Sequence, residues 1–171
     1  MKLRGRMSKK AQMEISFGMI VSVILIIVFV AFTFYAIGKF LGMQRSVQIG
    51  KFTSDLQFDV DKIWKTSQGS QPVSYILPSR IEKVCFVDYA NSEKGVNALL
   101  YEKLKLGFYG SENLIFYPVG SGEGLDSTII EHINLEKITE TQNPFCIENT
   151  NGKVKLTVSM DFGESLVKIS K

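Results

Sequence analysis

Two cysteines, one histidine, a cluster of glycines and a few carboxylates are the side chains of this chain that could do chemistry. Cys85 and Cys146 both fall in short apolar runs rich in β-branched and aromatic residues, which read as strands. In an oxidising compartment the pair would close a loop of about 60 residues and stabilise the fold by about 4 kcal/mol, two unconnected buried thiols being the alternative. With only the distant His132 beside them they lack the paired spacing of a zinc site, so no metal and no cofactor is expected. His132 has no Ser or Cys nucleophile motif nearby and reads as a surface or satisfied histidine rather than a catalytic base. Gly120-Ser121-Gly122-Glu123-Gly124 lacks the glycine-lysine of a phosphate-binding loop and reads as a flexible loop. Asp55, Asp59 and Asp61 lack the loop glycine and terminal glutamate of a calcium loop and read as a solvated helix face. These residues do not add up to an enzyme.

Glu14 is the remaining candidate. It stands at the head of residues 15–38, ISFGMIVSVILIIVFVAFTFYAIG, which contain no ionisable side chain apart from Tyr35. A carboxylate there is costly to bury. It can sit among lipid headgroups in the first helical turn, where the helix dipole favours an anion by about 0.3–1 kcal/mol.

The element that positions Glu14 is therefore a membrane-spanning helix, since about 20 apolar residues cross a hydrocarbon core of roughly 30 Å. A buried helix of a soluble core would need covering on every side, and the rest of the chain has little apolar surface to spare. A secretory signal peptide, with Ala36-Ile37-Gly38 as cleavage site, would have a shorter apolar core of about 7–15 residues. Lys2, Arg4, Arg6, Lys9 and Lys10 precede the span with no acid among them, so the amino terminus is expected inside and the carboxyl domain outside.

That basic leader also explains the charge. The chain of 171 residues carries 20 basic and 17 acidic side chains, a formal net charge of +3. Removing the five leader charges leaves 15 basic against 17 acidic, a body of −2. No basic cluster stands out in that body, and no nucleic-acid partner is expected. The length allows one ordinary domain plus an appendage, and a hydrophobic share of 45% excludes a disordered chain.

After the span, Val47 or Ile49, Phe52, Leu56, Val60 and Ile63 with Trp64 recur at three- and four-residue steps, so one helix can run from about Gln12 to about Thr66. Gly38, Gly42 and Gly50 predict bending or local melting in its middle. Residues 67–72 are polar and mark a boundary. Beyond them, residues 83–89, 113–119 and 153–160 read as strands, with SLVKIS following the last. Residues 93–106 place Val96, Leu99, Leu100 and Leu104 at helical spacing. Residues 128–138 lean to strand. The expected fold is α+β: a long N-terminal helix, transmembrane then amphipathic and extracytoplasmic, packed on a small antiparallel meander. The expected organisation is a cytoplasmic leader over 1–11, the span over 12–38, the helix continuation over 39–67 and the outer domain over 73–171.

The basic leader, then Ala11-Gln12, then Glu14 at the head of an unbroken apolar helix resembles archaeal type IV pilin precursors with a class III signal peptide. The resemblance covers residues 9–38. It implies that a membrane-embedded prepilin-type peptidase cuts on the cytoplasmic side between Ala11 and Gln12. It also implies that the subunits self-assemble through their apolar helices into a surface filament, with the early glutamate meeting a neighbour's new amino terminus. Here Glu14 is third and Ser16 fifth after the cut, whereas the family usually has serine third and glutamate fifth. The expected function is thus a membrane-anchored, pilin-like structural subunit. The alternative is an uncleaved single-pass protein with an extracytoplasmic binding domain.

Overall fold

Apolar residues at three- and four-residue steps produce a single helix, α1 (Phe17–Thr66), in the computed structural model, which describes residues 17–171. Lys2, Arg4, Arg6, Lys9, Lys10, Ala11, Gln12 and Glu14 lie outside the described residues. The chain divides into two compact units, one up to Phe40 and one from Leu41 onward. The melting expected at the glycines does not occur: α1 is helical through Gly38, Gly42 and Gly50. A glycine costs about 1 kcal/mol in a helix, too little to interrupt one already propagating on both sides. The helix stops at Ser67, whose φ of 59° is left-handed and whose amide bonds the Trp64 carbonyl at 3.2 Å.

In the second unit α1 buries Ile49, Phe52, Leu56, Val60 and Ile63, which is the predicted stripe with Ile49 rather than Val47 at its start. Trp64 lies at the rim. The stripe packs on two antiparallel sheets. The first holds β1 (Gly69–Ile76), β6 (Lys153–Met160) and β7 (Lys168–Ser170) in the order β1-β6-β7. The second holds β2 (Lys83–Phe86), β3 (Leu114–Tyr117), β4 (Ser127–Thr128) and β5 (Phe145–Glu148) in the order β4-β3-β2-β5.

This is not the simple meander expected, because β1 pairs across the whole domain with β6, from Gly69 opposite Met160 to Ile76 opposite Lys153. The strand begins inside the polar segment read as a boundary. Its Pro72 is tolerated because β1 is an edge strand and because hydrogen-bonded pairs alternate. The Leu77 amide bonds the Gly152 carbonyl at 3.0 Å, which sets a phase placing Pro72 opposite Thr157 in a pair that needs no amide.

The second sheet is covered on both faces. Val84 and Phe86 point into the main core with Phe52, Leu114 and Phe116. Cys85 and Val87 point the other way, into a smaller cluster with Tyr101, Leu104 and Ile115. That cluster is capped by α2 (Ala98–Leu104), which continues as a short 3-10 turn, Lys105–Gly107. The helix expected over 93–106 is therefore shorter. Its buried residues are Tyr101 and Leu104, whereas Val96 and Leu99 are 82% and 89% exposed. Residues 128–138 are also not one strand: β4 ends at Thr128, His132 takes a φ of 60°, and α3 (Leu135–Ile138) forms a single turn capped by Asn134. The left-handed residue and the cap end the alternation that suggested a strand.

Candidate functional site

The feature that most constrains function is the first half of α1. Every residue from Phe17 to Leu41 is exposed, and the helix is long and apolar enough to cross a membrane. A continuous apolar surface of that size is not left in water. Its serine and threonine hydroxyls bond within the helix: that of Ser22 donates to the Gly18 carbonyl at 2.8 Å and that of Thr33 to the Phe29 carbonyl at 2.7 Å. At the end of the apolar run Lys39 Nζ lies 6.0 Å from the centre of the Tyr35 ring, the pairing of cation and amphipathic aromatic found at membrane interfaces.

The second half of α1 holds the following domain through its aspartates. Asp55 pairs with Lys51 on the solvent side. Asp59 accepts from the Tyr75 hydroxyl at 2.7 Å. Burial pushes that phenol above its ordinary range and the Asp59 carboxylate pushes it further, so it stays a donor. Asp61 accepts from Gln57 at 2.8 Å and meets His132 Nδ1 at 2.9 Å. The His132 hydrogen bond holds the Asp61 carboxyl below its usual value, helped by Gln57 and Lys65 and opposed by burial. Two of the three aspartates thus belong to the contact between helix and domain and not to a solvated face, as the spacing alone suggested.

His132 is satisfied, as expected. Its ring stacks on Trp64 with centres 3.7 Å apart and planes 7° apart, while Trp64 Nε1 donates to the Ser165 carbonyl at 3.1 Å. Gln57 completes this clasp by accepting from the Glu131 amide at 2.8 Å.

Cys85 and Cys146 face each other across β2 and β5, with sulfurs 2.06 Å apart, the separation of a disulfide, and Cα atoms 4.0 Å apart. The Asn149 amide bonds the Glu82 carbonyl, and counting along the ladder makes Cys85 and Cys146 a pair without mutual backbone bonds, where strands approach closest. The bond ties the two strands beneath α2 and belongs to the domain's construction. Alternating side chains could place both cysteines in strands, but not opposite one another.

The glycine cluster is an organised turn and not a free loop. Asp126 Oδ1 accepts from the amides of Gly120 at 2.7 Å and Gly122 at 2.8 Å. The turn presents Glu123 to both Arg45 on α1 and Arg80. The sequence reading also missed Asn143, which is fully buried. Its Oδ1 accepts from the Asp88 amide at 3.1 Å, and its Nδ2 lies 2.8, 3.2 and 3.1 Å from the carbonyls of Asp88, Asn91 and Ser92. A lone asparagine before a proline carries no local mark of this role. Compared with protein-family models, with curated proteins and with solved structures, the chain found no match.

Proposed function

We propose that the chain is a membrane-anchored, pilin-like structural subunit that is processed between Ala11 and Gln12 by a prepilin-type peptidase and assembles through its apolar helix into a surface filament. The observation that carries the reading is α1 itself. One helix joins a segment exposed from Phe17 to Leu41 to a second segment whose stripe is the core of the following domain. Such a helix has two compatible environments for its bare half: lipid before assembly and the helices of neighbouring subunits afterwards. Glu14 supports the same reading. A carboxylate carried from headgroups into a helix bundle needs a positive partner, and a new amino terminus at Gln12 supplies one. The basic leader then sets the orientation, with the domain outside, where a disulfide is chemically at home.

Electron microscopy of surface fractions from cells producing the chain tests the proposal. Filaments labelled by an antibody to the outer domain are expected, and their loss in Glu14→Ala with the membrane pool retained. Finding the chain only as a membrane-bound monomer would favour the uncleaved single-pass alternative.

A further inference from the structure

The turn between β5 and β6 begins as a hairpin and then opens. Thr150 and Lys153 exchange both backbone bonds, at 2.9 and 3.1 Å, and form the only rung between the two strands among the described residues. Past it β5 enters one sheet and β6 the other. The ladder phases fix which groups this leaves unpaired. On β5, Phe145 and Ile147 direct their amides and carbonyls to β2, so those of Cys146 and Glu148 point away from the sheet. On β6 the outward positions are Lys153, Lys155, Thr157 and Ser159. Thr150 takes the first, and Ser170 and Lys168 of β7 take the last two. Lys155 alone keeps its outward amide and carbonyl free of strand partners among the described residues.

These edges border a cleft of about 720 Å³, lined by Ile147, Glu148, Lys153, Lys155 and Lys171 among others. Its charge is one-sided. Lys153, Lys155 and Lys171 form no ion pair among the described residues, while Glu148 pairs at 3.5 Å with Lys83. Lys171 instead places its ammonium 5.5 Å from the Phe145 ring centre, at the cleft's flank.

We propose that this open hairpin is a docking site for an extended, carboxylate-bearing segment of a partner protein, added as a strand to the exposed edge of β5 or β6. Backbone bonds to Glu148 and Lys155 supply the register, and the three lysines select alternate Asp or Glu side chains. The site is independent of filament assembly and requires only the folded outer domain.

The test uses the full chain in detergent micelles and a short acetylated, amidated peptide of alternating Glu and Val, with amide exchange followed by NMR. Binding is expected with exchange at the Glu148 and Lys155 amides slowed by at least about tenfold. The Lys153→Glu, Lys155→Glu double variant, altered only at exposed positions, should bind about tenfold more weakly. The same peptide N-methylated at alternate residues keeps its charge but loses one edge, and should not bind. The proposal is overturned if peptide binding leaves both amides unprotected, if the N-methylated peptide or inorganic phosphate competes equally well, or if nothing binds.

Discussion

Asn143 replaces the missing backbone partners of the loop that leads into α2, and at the residue scale it is the side chain on which most depends. Its amide reaches four backbone groups of residues 88–92 from a fully buried position. Asn143→Leu leaves those groups buried and unbonded, and should cost about 2–3 kcal/mol in denaturant unfolding of the full chain in micelles. The Cys85–Cys146 bond is testable by simpler means. Reductant or Cys146→Ser should lower stability by about 3–4 kcal/mol and retard the chain on a non-reducing gel relative to the oxidised form. Equal mobility, together with two titratable thiols, would contradict it. Asp61 gives the pH dependence. Its folded pKa lies below the unfolded one, so its contribution is complete above the unfolded carboxylate value of about 3.9 and disappears as the pH falls through the folded value. With about a third of the side chain in water, the contribution is below about 1 kcal/mol. Asp61→Asn should therefore flatten the acid limb of the melting temperature below about pH 5, the gap to the parent chain closing as the Asp61 carboxylate becomes protonated. Of these roles only the disulfide was legible in the sequence, as one of two readings of its two cysteines. A lone Asn and an Asp among others on a helix acquire partners only when residues far apart in the chain are brought together.

At the scale of elements the sequence was most informative where a period ran long. The stripe Ile49, Phe52, Leu56, Val60 and Ile63 is buried in full, and β6 alternates as its residues do, with Val154, Leu156, Val158 and Met160 inside. Short strands over 83–89 and 113–119 were found, shortened, but residues 93–106 and 128–138 were misread because one turn of helix and one short strand share the same few apolar residues. The misassigned face of α2 illustrates this: Tyr101 is the buried partner of Leu104, and Leu99 faces water. The pairing of β1 with β6 was hidden for another reason, since long-range register leaves no local mark and β1 begins within the polar residues 67–72 that read as a boundary, its Pro72 sitting where no amide is needed. Two substitutions in α1 separate its packing from its propensity. Phe52→Ala removes a ring in edge contact with Tyr75 and Phe116 and should cost about 3–5 kcal/mol of domain stability. Gly50→Ala adds a methyl that meets no atom within 4 Å and should stabilise the helix by about 0.5–1 kcal/mol. Both are read by thermal unfolding followed through near-ultraviolet circular dichroism.

At the scale of the whole molecule, the chain combines a helix half that no part of the described protein covers with a domain built around the other half. Composition separates a different pair of parts, a +5 leader and a body of −2 that holds both the helix and the domain. The same sum hid the grouping of Lys153, Lys155 and Lys171, which are brought together only by the opened hairpin. What the filament reading adds is a covalent event at Ala11-Gln12 that changes the charge of the mature protein from +3 to about −2. That event is directly measurable. The intact mass of the protein purified from its native membrane or surface fraction should correspond to a chain beginning at Gln12, with Met1 to Ala11 absent. A mature protein retaining that leader in full would contradict the account.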